Sequence, residues 1–322
     1  MSLPRVECFD ALRTLATACA GVRAGERALI VTDTGAEGDV VEAFGSVLRA
    51  LGADVVAVES APADLPGDDP PAAVSAAMLE ADVVFELTSV FIGSCQARRD
   101  ACAAGARYLT VPGLGWPTLR PSGPFSVDFD ALGAHARELA AQFDQANEFQ
   151  LTSDAGTDLR GSFAGRRGRP LWGIANEPGG YAAPPDIEVG ASPVEGTTSG
   201  RVVVDGSLLF LGPDQLDSTV ELSFEDGRLV DLSGRDAWRL ADALERSGDE
   251  RMWSIAEVSI GLNPCSRPGG SALELEGIVG GAHVAVGNNI PYGGSNDARS
   301  HIDCVLLAGR LALDGIPVEP RM

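Results

Sequence analysis

Hydrophobic positions follow two regimes along this chain, and the change comes near residue 150. Before it, short apolar runs alternate with stretches of helical period. Arg27-Ala28-Leu29-Ile30-Val31-Thr32 reads as a buried strand that stops at the polar turn Asp33-Thr34-Gly35. A helix is expected from about Glu37 to Leu51, closed by Gly52. Asp54 to Val58 reads as the next strand. A loop rich in Pro, Gly and Asp follows, then a helix with the apolar face Ala73, Ala76, Ala77 and Leu79. Asp82 to Leu87 and Tyr108 to Val111 read as further strands, separated by a short helix around Ala97 to Ala104. Asp128 to Asn147 reads as a long helix, and Met1 to Gly21 as an opening one. Such alternation implies an α/β domain built on a parallel sheet with helices on both faces.

Beyond residue 150 glycine becomes dense, strands shorten and long helices nearly vanish. Arg201 to Val204 reads as a strand. Thr219 to Phe224 and Arg228 to Leu232 flank Glu225-Asp226-Gly227, a strong hairpin signal. One helix is expected over Arg235 to Arg246, and further strands at Ile255–Ile260, His283–Val286 and His301–Leu307. The expected layout is therefore an α/β scaffold over 1–150 and a mainly β (α+β) domain over 151–322. The Gly- and Pro-rich segment from Arg166 to Pro185 is expected to be a loop near the junction.

Composition narrows the function. The chain has 322 residues, more than one core usually accommodates. Its net charge of −22 opposes binding to nucleic acid or to an anionic membrane surface. No apolar run is long enough to cross a bilayer, and the opening helix carries Glu7, Asp10 and Arg13, unlike a secretion signal. Lysine is absent throughout, which removes Schiff-base chemistry, pyridoxal-phosphate catalysis and the P-loop lysine. The first β–α turn, Asp33 to Gly38, lacks a complete G-x-G-x-x-G, so a scaffold role is expected there and not a bound dinucleotide. Six cysteines show neither C-x-x-C nor zinc spacing, and a reduced cytoplasmic setting is expected. Arg160, Arg166, Arg167 and Arg169 form a local basic patch, read as a surface loop.

The chemistry concentrates near the C-terminus. His301-Ile302-Asp303 opens an apolar strand, and residues two apart on a strand share a face. His283 lies 18 residues earlier. A His and a carboxylate projecting together, with a second His close by, suit a metal site; an Asp that merely orients a structural His is the simpler alternative. Glu257 interrupts the strand Ile255 to Gly261 and projects away from Ala256, Val258 and Ile260. A charge in such a strand needs a partner or a metal. Glu188 sits similarly after a Pro-rich turn, and Glu195 reads equally well as a turn residue.

These segments resemble a known family. Pro185 to Gly196, Ala256 to Pro264, Gly281 to Gly287 and Ser300 to Asp303 resemble, in order, the two glutamate segments, the histidine strand and the terminal H-x-D of M29 metallo-aminopeptidases of the aminopeptidase T type. Gly156-Thr157-Asp158-Leu159 and Ala104 to Tyr108 resemble a shorter bacterial branch grouped with 2,5-dihydroxypyridine 5,6-dioxygenases, which are Fe(II) ring-cleaving enzymes. The resemblance implies Glu188, Glu257, His283, His301 and Asp303 as metal ligands and Tyr292 as an active-site tyrosine. Glu276 falls where relatives carry an acidic cluster, of which part is missing here. A homodimer is implied as well. Three carboxylates and two imidazoles suit two divalent ions, zinc, cobalt or manganese, in a hydrolase acting on a short peptide or small molecule. Glu257 would then be ligand or general base and Tyr292 an oxyanion donor. Two histidines with one acid would instead suit Fe(II) in a dioxygenase. A binding protein that has lost catalysis is the third expectation.

Overall fold

The computed structural model describes residues 4–321. The chain divides into two compact units, Met1–Phe129 with Trp172–Pro185, and Asp130–Leu171 with Asp186–Met322. The expected break at residue 150 is thus displaced. The helix Phe129–Phe143 opens the second unit because Phe143 and Phe149 both pack on Phe163, at ring-centroid distances of 5.5 and 4.5 Å. The segment expected to be a loop before Pro185 is divided too. Arg169–Leu171 is a strand of the second unit, and Tyr181–Ala182 pairs with Arg107–Thr110 in the first.

The first unit holds a parallel sheet in the order Asp54–Ser60, Arg27–Asp33, Val83–Leu87, Arg107–Thr110, Tyr181–Ala182. Strand alternation sends neighbouring residues to opposite faces. Val84 joins Leu29, Val31 and Tyr108 in a core with Val74, Met78, Ala97 and Ala101 from the helices Ala72–Leu79 and Gln96–Ala103. Phe85 points the other way, onto Phe44 of the helix Gly38–Ala50, in an edge-on ring contact at 4.8 Å. Helices therefore cover both faces, as the alternating pattern predicts.

The second unit carries two antiparallel sheets. The seven-stranded one includes the hairpin Val220–Glu225 and Arg228–Ser233. Its two turn residues, Asp226 and Gly227, both have positive φ, 47° and 78°, as a type I′ turn requires. The six-stranded one runs Ser207–Leu208, His301–Leu306, Ala282–Gly287, Ile255–Gly261, Glu188–Ala191, Arg169–Leu171. Its central strands are buried along nearly their whole length. Among the described residues no helix is long and apolar enough to cross a membrane.

Candidate metal centre

The register of the six-stranded sheet sets the site. Directly opposed residues in an antiparallel pair share a face, as do residues two apart on one strand. Glu257 opposes Ala285, which opposes Asp303. His283 lies two residues before Ala285 and opposes Ser259. Gly190 opposes Ser259, and Glu188 opposes Gly261. His301 lies two residues before Asp303 and opposes Gly287. All five predicted ligand residues therefore project from one face of four adjacent strands. Small residues make room among them: a Cβ on Gly190 would overlap the Ser259 hydroxyl and lie 2.9 Å from Glu257 Oε1.

The five side chains meet. His283 Nε2 is 2.9 Å from Glu188 Oε2 and 3.5 Å from Glu257 Oε1. His301 Nε2 is 3.2 Å from Glu257 Oε2 and 3.1 Å from Asp303 Oδ1. Glu257 thus turns one oxygen toward each imidazole, and two triads share it. In Glu188–Glu257–His283 and in Glu257–His301–Asp303, the candidate ligand atoms lie within 4.8 Å of one another.

The hydrogen bonding supports a cation at this place. His301 Nδ1 lies 2.7 Å from the carbonyl oxygen of Asn288. A carbonyl only accepts, so Nδ1 carries the proton and, in the neutral ring, Nε2 turns its lone pair toward Glu257 and Asp303. Lone pair facing carboxylate is repulsive unless a proton or a metal ion lies between them. A backbone carbonyl behind the far nitrogen is also what fixes metal-bound histidines. Glu188 Oε2, Glu257 Oε2 and both ring nitrogens of His283 are buried without a hydrogen bond of acceptable geometry, and Asp186 Oδ1 joins them. Orphaned groups of this kind, aimed at common points, fit a divalent metal. The buried acid and imidazole cluster could hold one or more such ions.

Electrostatics point the same way. Burial opposes the charged form of both histidines, yet Glu188 and Glu257 beside His283, and Asp303 and Glu257 beside His301, hold both rings well above their usual value. Burial also works against ionised Glu257, but the two imidazoles close beside it bring it down to about 2. Burial and the neighbouring Glu257 raise Glu188. The same crowding of carboxylates that favours the charged imidazoles would favour a bound cation.

Asp186 and Ser259 were not singled out in the sequence, whereas Glu276 and Tyr292 were, through the family resemblance. Asp186 and Glu276, both buried, form a further acidic group with Glu188. Burial, with the surrounding carboxylates, pushes both well above their ordinary range. Asp186 could have been suspected from its spacing of two before Glu188, whereas Glu276 arrives on the five-residue helix Ala272–Glu276. Ser259 donates a short hydrogen bond to Glu257 Oε1. Tyr292 stands beside the cluster: its hydroxyl donates to Glu188 Oε1 at 3.2 Å and its ring stacks on His301 at 5.4 Å. Burial and the adjacent Glu188 and Glu257 hold its phenol well above the usual value, so it remains a neutral donor. Arg169 does not sit in a surface loop. It extends from a strand, with its guanidinium 4.4 Å from the centre of the Tyr292 ring.

Fold and site together define a two-unit protein whose buried acids and imidazoles could hold a divalent metal. The chain belongs to the NicX family, described as 2,5-dihydroxypyridine 5,6-dioxygenase, whose model matches residues 7–320. Among solved structures it is similar to a 2,5-dihydroxypyridine dioxygenase from Pseudomonas putida, with a TM-score of 0.76 at 18% identity, over 99% of this chain and 96% of the other. It is also similar to AmpT from Thermus thermophilus, with a TM-score of 0.67 at 17% identity, over 97% and 96% of the two chains. Comparison with curated protein sequences returns no match.

Proposed function

We propose that this protein is a hydrolase that uses two divalent ions to cleave the amide bond of a short peptide or small molecule, in the manner of an aminopeptidase. One observation carries the reading: the two oxygens of Glu257 face different imidazoles, Oε1 toward His283 and Oε2 toward His301, and Glu257 belongs to two groups of candidate ligands, one with Glu188 and one with Asp303. A shared carboxylate offsets the repulsion of two neighbouring cations, which one ion would not need. Zinc, cobalt or manganese suits these imidazole and carboxylate donors. When bound, such a pair supplies Lewis acidity toward a carbonyl and lowers the pKa of a water molecule.

The chain's own residues do the rest. Glu188, Glu257, His283, His301 and Asp303 hold the ions, and Asn288 keeps the His301 ring in the correct tautomer. Tyr292 presents a neutral hydroxyl at the edge of the cluster, suited to donate to an oxygen as negative charge develops on it. Ser259 holds Glu257 in place through its hydroxyl.

The alternative is an Fe(II)-dependent ring-cleaving dioxygenase, and the family match over residues 7–320 favours it. His283, His301 and one carboxylate would form a two-His, one-carboxylate set, which suits Fe(II) with open coordination positions. A binding protein without catalysis is disfavoured, because no member of the five-residue set is missing. The deciding experiment assays anaerobically purified protein, reloaded with each metal in turn, on aminoacyl amides and on dihydroxypyridines with an oxygen electrode. Amide cleavage without oxygen uptake supports the hydrolase. Oxygen uptake with a dihydroxypyridine, and no amide cleavage under any metal, overturns it.

A further inference from the structure

The segment between the strands Ala282–Gly287 and His301–Leu306 touches the metal cluster twice. The Asn288 carbonyl accepts from His301 Nδ1 at 2.7 Å, and the Tyr292 hydroxyl donates to Glu188 at 3.2 Å. The only regular structure inside it is the three-residue turn Ile290–Tyr292; backbone bonds such as Asn288 N–H to Ser300 O at 2.7 Å and Asn289 N–H to Asn296 O at 3.0 Å fold it back on itself, and side chains tie it to the rest of the unit. Glu195, read in the sequence as a turn residue, gathers them. Its Oε1 accepts from the Ser295 backbone N–H at 2.7 Å, the Ser295 hydroxyl at 3.0 Å and the Asn289 amide at 3.0 Å. Its Oε2 pairs with Arg166 in a short contact. Arg166 in turn donates to the carbonyls of Gly293 and Pro193. Asn289 continues the network by accepting from Asn296 N–H at 2.6 Å.

Geometry favours a tie over an incidental surface pair. The Arg166 side chain is 15% exposed and links the segment, at the Gly293 carbonyl, to Pro193 and Glu195. Three of the four donors on Glu195 come from residues of the segment itself or its immediate flank. Neither residue reaches a candidate ligand directly, so any effect on the site must pass through Asn288 and Tyr292.

We propose that Glu195 and Arg166 are positioning residues that lock residues 288–296, and through them hold both the His301 tautomer and the Tyr292 hydroxyl in register with the metal cluster. The proposal rests on the metal reading of this site. Removal of the lock costs metal affinity through Asn288 and turnover through Tyr292, with the sheets left intact.

The test compares Glu195→Ala with wild type and with Glu225→Ala, a loss of an exposed carboxylate at the hairpin turn. Three quantities are read: affinity for cobalt(II) alone, hydrogen exchange of peptides spanning 288–296 and 255–261, and turnover. Glu195→Ala is expected to weaken cobalt binding roughly 10–100-fold, as losses behind a ligand do, and to speed exchange in 288–296 but not in 255–261. Combined with Tyr292→Phe it should cost little turnover beyond the worse single change, because two residues acting through one group are not additive. Glu225→Ala should match wild type. If Glu195→Ala does not fold, Glu195→Gln, which keeps an acceptor for Ser295, carries the same comparison with a smaller loss. Unchanged cobalt affinity and unchanged exchange in 288–296 would overturn the proposal. Cobalt affinity and exchange are read without substrate, so they judge the lock even where no hydrolysis is found. Failure of the wild type to bind cobalt overturns the metal reading and the lock together.

Discussion

Glu86 and Glu257 are equally buried, each at 0% exposure, and each lies on an interior strand of its sheet. Their surroundings differ in kind. Glu86, in the parallel sheet, is met by neutral donors: the Ile92 N–H at 2.7 Å, the Thr88 hydroxyl at 3.2 Å and the Tyr108 hydroxyl at 3.0 Å. Burial outweighs these bonds and lifts its pKa to about 7. Glu257, in the six-stranded sheet, faces two imidazoles and is held at about 2 in spite of the same burial. Glu86 has donors for both oxygens, whereas Glu257, Glu188 and His283 keep atoms without a hydrogen bond. Burial of a carboxylate therefore does not mark function. What distinguishes the candidate one is the company of groups that can change protonation or bind a cation, and a demand for charge that the protein itself leaves unmet.

The sharpest way to break this comparison is Glu257→Gln. The change keeps size and removes charge. In a dinuclear hydrolase it should lower metal loading and cut hydrolysis by roughly 10²–10⁴-fold. If His283, His301 and Asp303 hold a single iron, the same variant should retain that iron and lose about 10–100-fold. Metal content and turnover measured on one preparation separate these outcomes.

Tyr292→Phe comes next. Loss of one donor to a developing oxyanion costs about 10²–10³-fold in kcat, with little change in KM. Activity within twofold of wild type would leave the hydroxyl with no more than a structural bond to Glu188.

Glu86 supplies a stability test of the other half of the comparison. Its folded pKa, about 7, lies above the ordinary 4.5, so the folded chain holds a proton that the unfolded chain has released between those values. The stabilisation is therefore complete below about pH 4.5 and is lost as pH rises through about 7. Glu86→Gln should be more stable than wild type by about 3 kcal/mol near pH 8, and the difference should vanish near pH 4. Urea unfolding of both proteins at the two pH values checks this. A variant less stable than wild type at pH 8 would show that the ionised carboxylate is favoured in the fold.

The smallest expected effect is none. In the first β–α turn the Asp33 carboxylate accepts from Gly35 N–H at 2.9 Å and from Ser89 N–H at 2.8 Å, taking donors that a pyrophosphate would need. Titration with NAD or FAD should give no saturable binding. Micromolar affinity for either would reverse the assignment of that unit as a scaffold.

Part of the candidate set was legible because it lies on strands, where a period of two fixes which residues share a face; the full set of five came only from the family resemblance. Glu257 against Ala256 and Val258, and His301 with Asp303, needed no tertiary knowledge. The arrangement around them did not follow from any local pattern. Arg169–Leu171 is three residues long and contains a proline, so it shows no periodicity and reads as loop. Glu195 meets Ser295 across 100 residues of sequence, and no local signal distinguishes it from a solvated turn. The unit boundary was misplaced because Phe143 and Phe149 are committed by packing on Phe163, a contact that an alternating strand and helix pattern does not reveal.

The central claim is that Glu257 serves two ions at once. Metal stoichiometry of the anaerobically purified chain tests it most directly, by elemental analysis against protein concentration after saturation with each of zinc, cobalt, manganese and iron(II). The account predicts close to two ions of zinc, cobalt or manganese per chain, falling toward one in Glu257→Gln. About one iron per chain, lost in air together with activity and unaffected by Glu257→Gln, would contradict it.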